Sequence, residues 1–258
     1  MRHNPLLTKA AEMAAILLEI ARNRQIDSET FPRNMVEFAV NGIGLPVIYR
    51  AHLSIHEVRQ YICTLDGQLF AGQGVSHPDR ELYGLLHIGP PSNLILIRSG
   101  LRPHIVNFII AHELGHFLAD VYQVHRLWLK ALPEQRLEID KAFSWQSYDP
   151  KLEIHALVKG LPERPREIAH RGAEMEETVI DREILADLIG RELIAPWGLV
   201  VQHFHGQERI EFANQIHNVF GLPRRIAYGY YDEIRHFFSP CKDFVDTLFS
   251  PLLENRKR

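Results

Sequence analysis

From Leu6 to Ala21 apolar residues recur at helical spacing, interrupted by Lys9, Glu12 and Glu19, and this predicts an amphipathic helix over residues 5–23. A second helix is predicted over about 32–41, ended by the Gly42/Gly44 pair. The pattern then shortens. Leu45–Tyr49, Leu69–Phe70, Leu82–Ile88 and Leu94–Ile97 read as strands, Ile55–Tyr61 as a short helix, with turns such as Gly89-Pro90-Pro91-Ser92 between them. Leu94–Ile97 is the candidate for the outer strand of the sheet, open to a substrate strand, although its four apolar residues fit a fully buried central strand almost as well. Helical spacing returns over about 102–120, over Asp181–Pro196, and in the pair Glu211–Phe220 and Arg224–Phe237, joined across Gly221-Leu222-Pro223. The expected class is α+β: mostly helical, with a small twisted β-sheet beside the helix at 102–120 and a closing helical pair at the C-terminus.

Residues 1–258 read as a single domain with an insertion at about 121–180 and a closing helix-turn-helix-like segment at about 207–238. The insertion begins as a continuation or kink of the helix before it. Glu134–Phe143 looks helical and charged, and after Asp149-Pro150 the stretch turns polar, fitting a solvated excursion, a lid or a docking surface. The closing pair has the outline of a DNA-reading motif. Its second helix mixes Arg at both ends with aromatic and acidic residues, so it is read as a packing element, with direct DNA binding disfavoured.

Composition narrows the class without naming a chemistry. The 258 residues are 46% hydrophobic and 24% charged, ordinary for a soluble globular chain, and a net charge of −3 gives no pull toward nucleic acid or anionic membrane. Charges inside the first helix argue against a signal peptide, and no apolar run is long enough to span a bilayer. Cys63 and Cys241, without metal or redox spacing, read as unpaired thiols of a reducing cytoplasm, although a single bridge is open to them.

The chemistry enters at His112-Glu113-Leu114-Gly115-His116, set among Val106, Ile109, Ile110 and Phe117. Residues four apart on a helix stand one above the other, so His112 and His116 can aim imidazole nitrogens at one point. Glu113 lies about 100° round the helix, close enough to hold a water while staying outside the ligand set. That arrangement offers two nitrogen ligands for Zn²⁺ and a general base. A third ligand is expected downstream, where Glu183, Asp187, Gly190 and Ile194 share one helix face. Glu183 is the candidate oxygen ligand, and Asp187 the carboxylate that accepts the other ring N–H of a liganding histidine. Small residues Ala186 and Gly190 would let this helix approach closely. The plainer alternative pairs Glu183 and Asp187 with Arg182, Arg191 or the Arg-rich segment before them. Glu176, Glu177 and Glu192 are rival ligands that look more like a solvated acidic face.

Together, His112-Glu113-x-x-His116 and Glu183-x-x-Ala186-Asp187-x-x-Gly190-x-x-Leu193-Ile194-x-Pro196 resemble the ImmA/IrrE family of gluzincin-type metallopeptidases. Upstream, Phe31-Pro32 through Gly44–Arg50 and Leu94–Ile97 are similar to that family's leading helix and strands; downstream, Phe212-Ala213 through Tyr230 looks like its closing helices. The stretch 117–182 between the two motifs is longer than in most members. The resemblance implies a zincin-like fold and a zinc-dependent protease that cleaves a helix-turn-helix transcriptional repressor in the cytoplasm. Manganese or another divalent ion is an open alternative to zinc.

On that reading the metal, on His112, His116 and Glu183, activates a water, and Glu113 takes its proton and returns it to the leaving amine. Tyr228, Tyr230 and Tyr231 read as core and surface aromatics, although one of them or His205 could supply the oxyanion donor that a zinc hydrolase needs. His203 and His205 could form a second metal site but lack a third ligand, and His125 is expected to be exposed. Two other functions stay open: a non-catalytic, metal-containing regulatory protein that binds a repressor or DNA, and hydrolysis of a small amide or ester in a closed pocket. Oligomeric state is not legible.

Overall fold

A computed structural model describes residues 5–54, 56–58, 60–61, 81–88, 93–137, 177–202 and 207–238. Helix α1 (Pro5–Asn23) is followed by α2 (Met35–Glu37), which widens into a π turn, Phe38–Ile43. Asn34 caps α2 by accepting the Glu37 N–H, and Gly44, at φ 82°, ends the π turn in a left-handed conformation open to glycine. Three strands follow, β1 (Val47–Arg50), β2 (Gly84–His87) and β3 (Leu94–Arg98), with residues 56–58 and 60–61 helical between the first two. Helix α3 (Pro103–His116) starts with proline at its first turn, where no N–H is missed, and runs through a second π turn, Phe117–Tyr122, into α4 (Gln123–Ala131). The remaining helices are α5 (Glu177–Ile194), α6 (Trp197–Gln202), α7 (Arg209–Phe220) and α8 (Arg224–Phe238).

The class is α+β, mostly helical with a small mixed sheet. Strand order is β1-β3-β2, with β1 parallel to β3 and β2 antiparallel to it, Leu86 opposite Ile95. This corrects one expectation. Leu94–Ile97 is the central strand and not the outer one. The reason is visible in its alternation: Ile95 and Ile97 join the main core, while Leu94 and Leu96 pack with Leu53, Val58 and Leu85 on the opposite face. A strand covered on both faces reads as an unbroken apolar run. Among the described residues, β2 is the edge nearer the histidines.

The sheet lies on one side of α3 and α5 on the other, with α1 packed against α5 in turn. The C-terminal half of α3, Ile110 to His116, is therefore entirely buried. Gly84 lets β2 sit flat on α3, since a Cβ there would fall 2.2 Å from the Ile109 side chain. At the far end Arg33, buried in the core, donates to the carbonyls of Ser28 and Leu193, fixing the end of α5 to the loop before α2. The closing pair packs on the body. Helix α8 buries Ala227, Tyr230, Tyr231 and Ile234, and Glu233 binds Arg191 of α5 at 2.8 Å. No helix among the described residues is long and apolar enough to cross a membrane.

Some expectations fall outside the described residues: the strand at Leu69–Phe70, both cysteines, His203 and His205, Glu176, and residues 138–176 of the insertion. Its described start, to residue 137, is the π turn, α4 and a short turn at Pro133–Gln135.

Candidate metal centre

The site is built where α3 and α5 cross. The helices run antiparallel and their backbones touch, because each carries a glycine at the contact. A Cβ on Gly115 would lie 2.7 Å from the Ala186 carbonyl oxygen, and one on Gly190 would lie 3.0 Å from the His112 nitrogen. Any side chain larger than hydrogen would hold the helices apart. At this separation Glu183 faces both imidazoles one turn from Gly115, and Asp187 faces His112.

His112 Nε2 and His116 Nε2 are 3.1 Å apart. Glu183 Oε1 lies 3.3 Å from His116 Nε2, and Oε2 lies 3.5 Å from His112 Nε2. The corners of a tetrahedron with metal–ligand bonds of about 2.1 Å are roughly 3.4 Å apart. The donor separations thus match three corners of a four-coordinate ion, and the described residues place no donor at the fourth. Histidine and carboxylate are also the donor types that zinc accepts, and manganese is less well suited to two imidazoles. Among the described residues, His112, His116 and Glu183 are the group able to hold an ion.

Asp187 Oδ1 meets His112 Nδ1 at 2.7 Å, so that this imidazole turns Nε2 inward and Nδ1 toward a carboxylate. Among the described residues Arg191 binds Glu233 and Arg182 faces Asp120, and the Arg-rich segment before α5 lies outside them. Glu113 stays out of the donor triangle. Its Oε2 accepts the Leu86 N–H of β2 at 3.0 Å. Leu86 is at a position whose amide points away from β3, since the Tyr83–Arg98 pair, three residues back, is hydrogen-bonded and the pairs alternate. Glu113 therefore lies against the edge of β2 that faces away from β3.

Electrostatics tie these groups together. Burial alone would lower the His112 pKa, but hydrogen bonds to Asp187 and Glu183 outweigh it and hold it up at about 9. His116 is likewise opposed by burial and held up at about 10 by Asp120 and Glu183. Glu183 resists burial and stays well below the ordinary carboxylate range because it faces both imidazoles. Glu113 raises both histidines, so its charge is felt at the triangle. Ligation needs both Nε2 atoms, 3.1 Å apart, free of protons, so a metal must displace those they carry. Zinc uptake at pH 7 is accordingly expected to release at least one proton, read by calorimetry in buffers of different ionisation enthalpy. Both histidines have folded pKa values above their unfolded value of about 6.5. Their contribution to metal-free stability is thus full below about pH 6.5 and lost as pH climbs through 9 to 10. Melting temperatures of metal-free protein should fall across that window, and saturating zinc should flatten the fall.

Other expectations are corrected. Glu192 is no solvated acid: it is buried, accepts the Trp197 N–H and the Tyr230 hydroxyl, and burial raises its pKa. The reading of Tyr230 and Tyr231 as packed aromatics holds: Tyr230 turns its hydroxyl to Glu192 and the Ala195 carbonyl, and Tyr231 to the Gln207 carbonyl, which leaves neither as an oxyanion donor here. Tyr228 is half-buried beneath Arg209, and His125 is half-buried, not exposed. Two groups went unread in the sequence. The Leu86 amide left no signal there. Asp120, buried beside His116, stands four residues after it, a spacing that was available. No family model, curated protein or solved structure matches the chain.

Proposed function

We propose that the protein is a zinc-dependent metallopeptidase with a zincin-like arrangement, acting in the cytoplasm on a helix-turn-helix transcriptional repressor, as the resemblance to the ImmA/IrrE family implies. One observation carries the hydrolase part. Three donors stand at tetrahedral spacing while a further group, the carboxylate of Glu113, is held beside them by the Leu86 amide and takes no part in the triangle. A purely structural site would fill all four corners and would have no use for the poised carboxylate.

A bound zinc ion would supply Lewis acidity, making water a nucleophile near neutral pH and polarising the scissile carbonyl. The chain's own residues do the rest. Glu113 accepts a proton from the attacking water and delivers it to the leaving amine. Asp187 holds His112 in one tautomer. The edge of β2 that faces away from β3 runs past Glu113 and takes the role that the sequence suggested for Leu94–Ile97: an extended peptide pairing with its outward groups other than the Leu86 N–H would lie across the site.

The test is direct. The zinc-loaded protein is incubated with any small helix-turn-helix regulator found encoded beside it, and fragments are identified by mass spectrometry. Expected are discrete fragments that disappear with a chelator and return with added zinc. Stoichiometric release of the regulator from DNA without fragments would favour a binding protein in which the metal only shapes the surface.

A further inference from the structure

His116 has a second ring nitrogen to account for. While Nε2 faces the donor triangle, Nδ1 is buried and points at Asp120 Oδ2, 3.5 Å away. Neither atom has a hydrogen-bond partner among the described residues, so each is the nearest complement of the other. The Asp120 side chain is only 7% exposed and sits on the π turn that begins directly after His116. Such widened turns are rare inside helices and gather at functional sites. The other Asp120 oxygen, Oδ1, lies 3.6 Å from Arg182 Nε on α5, one residue before Glu183. A carboxylate this enclosed is costly unless both oxygens are engaged, and here the two available groups are an imidazole and a guanidinium.

The parallel with His112 is close. Each imidazole turns Nε2 inward and Nδ1 to an aspartate. For His112 the aspartate comes from the facing helix and is 44% exposed; for His116 it comes from the same helix and is enclosed. We propose that Asp120 is the positioning residue for His116: Oδ2 accepts the Nδ1–H and so leaves Nε2 as the ligand atom, while Arg182 holds Oδ1 and ties this carboxylate to the helix that presents Glu183. The assignment rests on the metal-centre reading above. It adds a link between α3 and α5 that does not pass through the ion itself.

Asparagine at 120 keeps the shape but offers one acceptor where two are needed, so either His116 or Arg182 must face an amide N–H. Asp120→Asn is therefore expected to weaken zinc binding by about 10–100-fold, measured by competition with a chromophoric chelator. The visible absorption of the cobalt-loaded protein should shift, which loss of packing alone would not produce in a protein with unchanged circular dichroism. Asp120→Leu, which removes both acceptors, should lose at least as much affinity. Arg182→Ala should act in the same direction but by no more than about 5-fold, the range of an exposed ion pair. If the parent chain binds one zinc ion and Asp120→Asn and Asp120→Leu bind it equally well, with the parental cobalt spectrum, the positioning role is wrong and the metal centre stands. If the parent itself takes up no stoichiometric zinc or cobalt, the metal centre is wrong and the role of Asp120 falls with it.

Discussion

Glu113→Gln is expected to reduce peptide hydrolysis by about 10²–10⁴-fold while leaving one metal ion bound per chain. The geometry separates the two effects. Glu113 is not among the three donors, so the change removes no ligand. The glutamine carbonyl can still accept the Leu86 N–H, so the side chain should remain against β2 and the buried surroundings should not rearrange. What disappears is the ability to take a proton. Metal content by elemental analysis and turnover by fragment appearance measure the halves independently. Full activity in the variant would rule out Glu113 as the base, and loss of metal would mean that it belongs to the ligand set.

Gly115→Ala is expected to be as damaging to the site, although it touches no ligand. The added Cβ would meet the Ala186 carbonyl oxygen at 2.7 Å and the Ala186 Cα at 2.9 Å. Both are backbone atoms of a packed helix and cannot swing aside as a side-chain tip would. Overpacking of this kind costs about 1–3 kcal/mol, against which alanine returns up to about 1 kcal/mol of helix propensity. Because the obstruction is backbone, the penalty should win. The larger consequence concerns ligation. Ligand distances tolerate roughly 0.2 Å, so a small parting of α3 from α5 carries Glu183 out of reach of the histidines. Zinc affinity is expected to fall by at least about tenfold. Gly190→Ala, whose Cβ would meet α3 backbone atoms at 3.0–3.2 Å, should follow the same course more mildly. Chelator competition and urea denaturation rank the variants, and a Gly115→Ala protein with parental affinity and stability would show that the crossing does not set the site.

Much of this was legible in the chain because short-range spacing fixes it. Two histidines four apart stack on any helix, and the Glu183–Asp187 face could be read the same way, as could the small residues that permit the crossing. Features decided by the rest of the molecule were less accessible. Leu94–Ile97 has the composition of a buried strand, but whether it lay at the edge or the centre depended on where β1 and β2 would fall. Glu192 is surrounded by the same charged letters as a solvated acid, and only Tyr230 and Trp197, brought from elsewhere, bury it. The two π turns leave no periodicity of their own. Asp120 stands four residues after His116, a spacing the sequence does carry, but its burial beside the imidazole depends on the fold.

The strand order has a consequence for how the chain is made. β1 and β2 do not pair with each other; both pair with β3, which is translated last. Until residue 98 has left the ribosome, two strands wait with open hydrogen-bonding edges, a state prone to intermolecular association. The helix that carries the histidines begins at Pro103, only a few residues later. Sheet closure and delivery of that helix are thus nearly one event in synthesis. Fragments ending before β3 should aggregate, whereas those extending through His116 should already possess the sheet on which the helix rests.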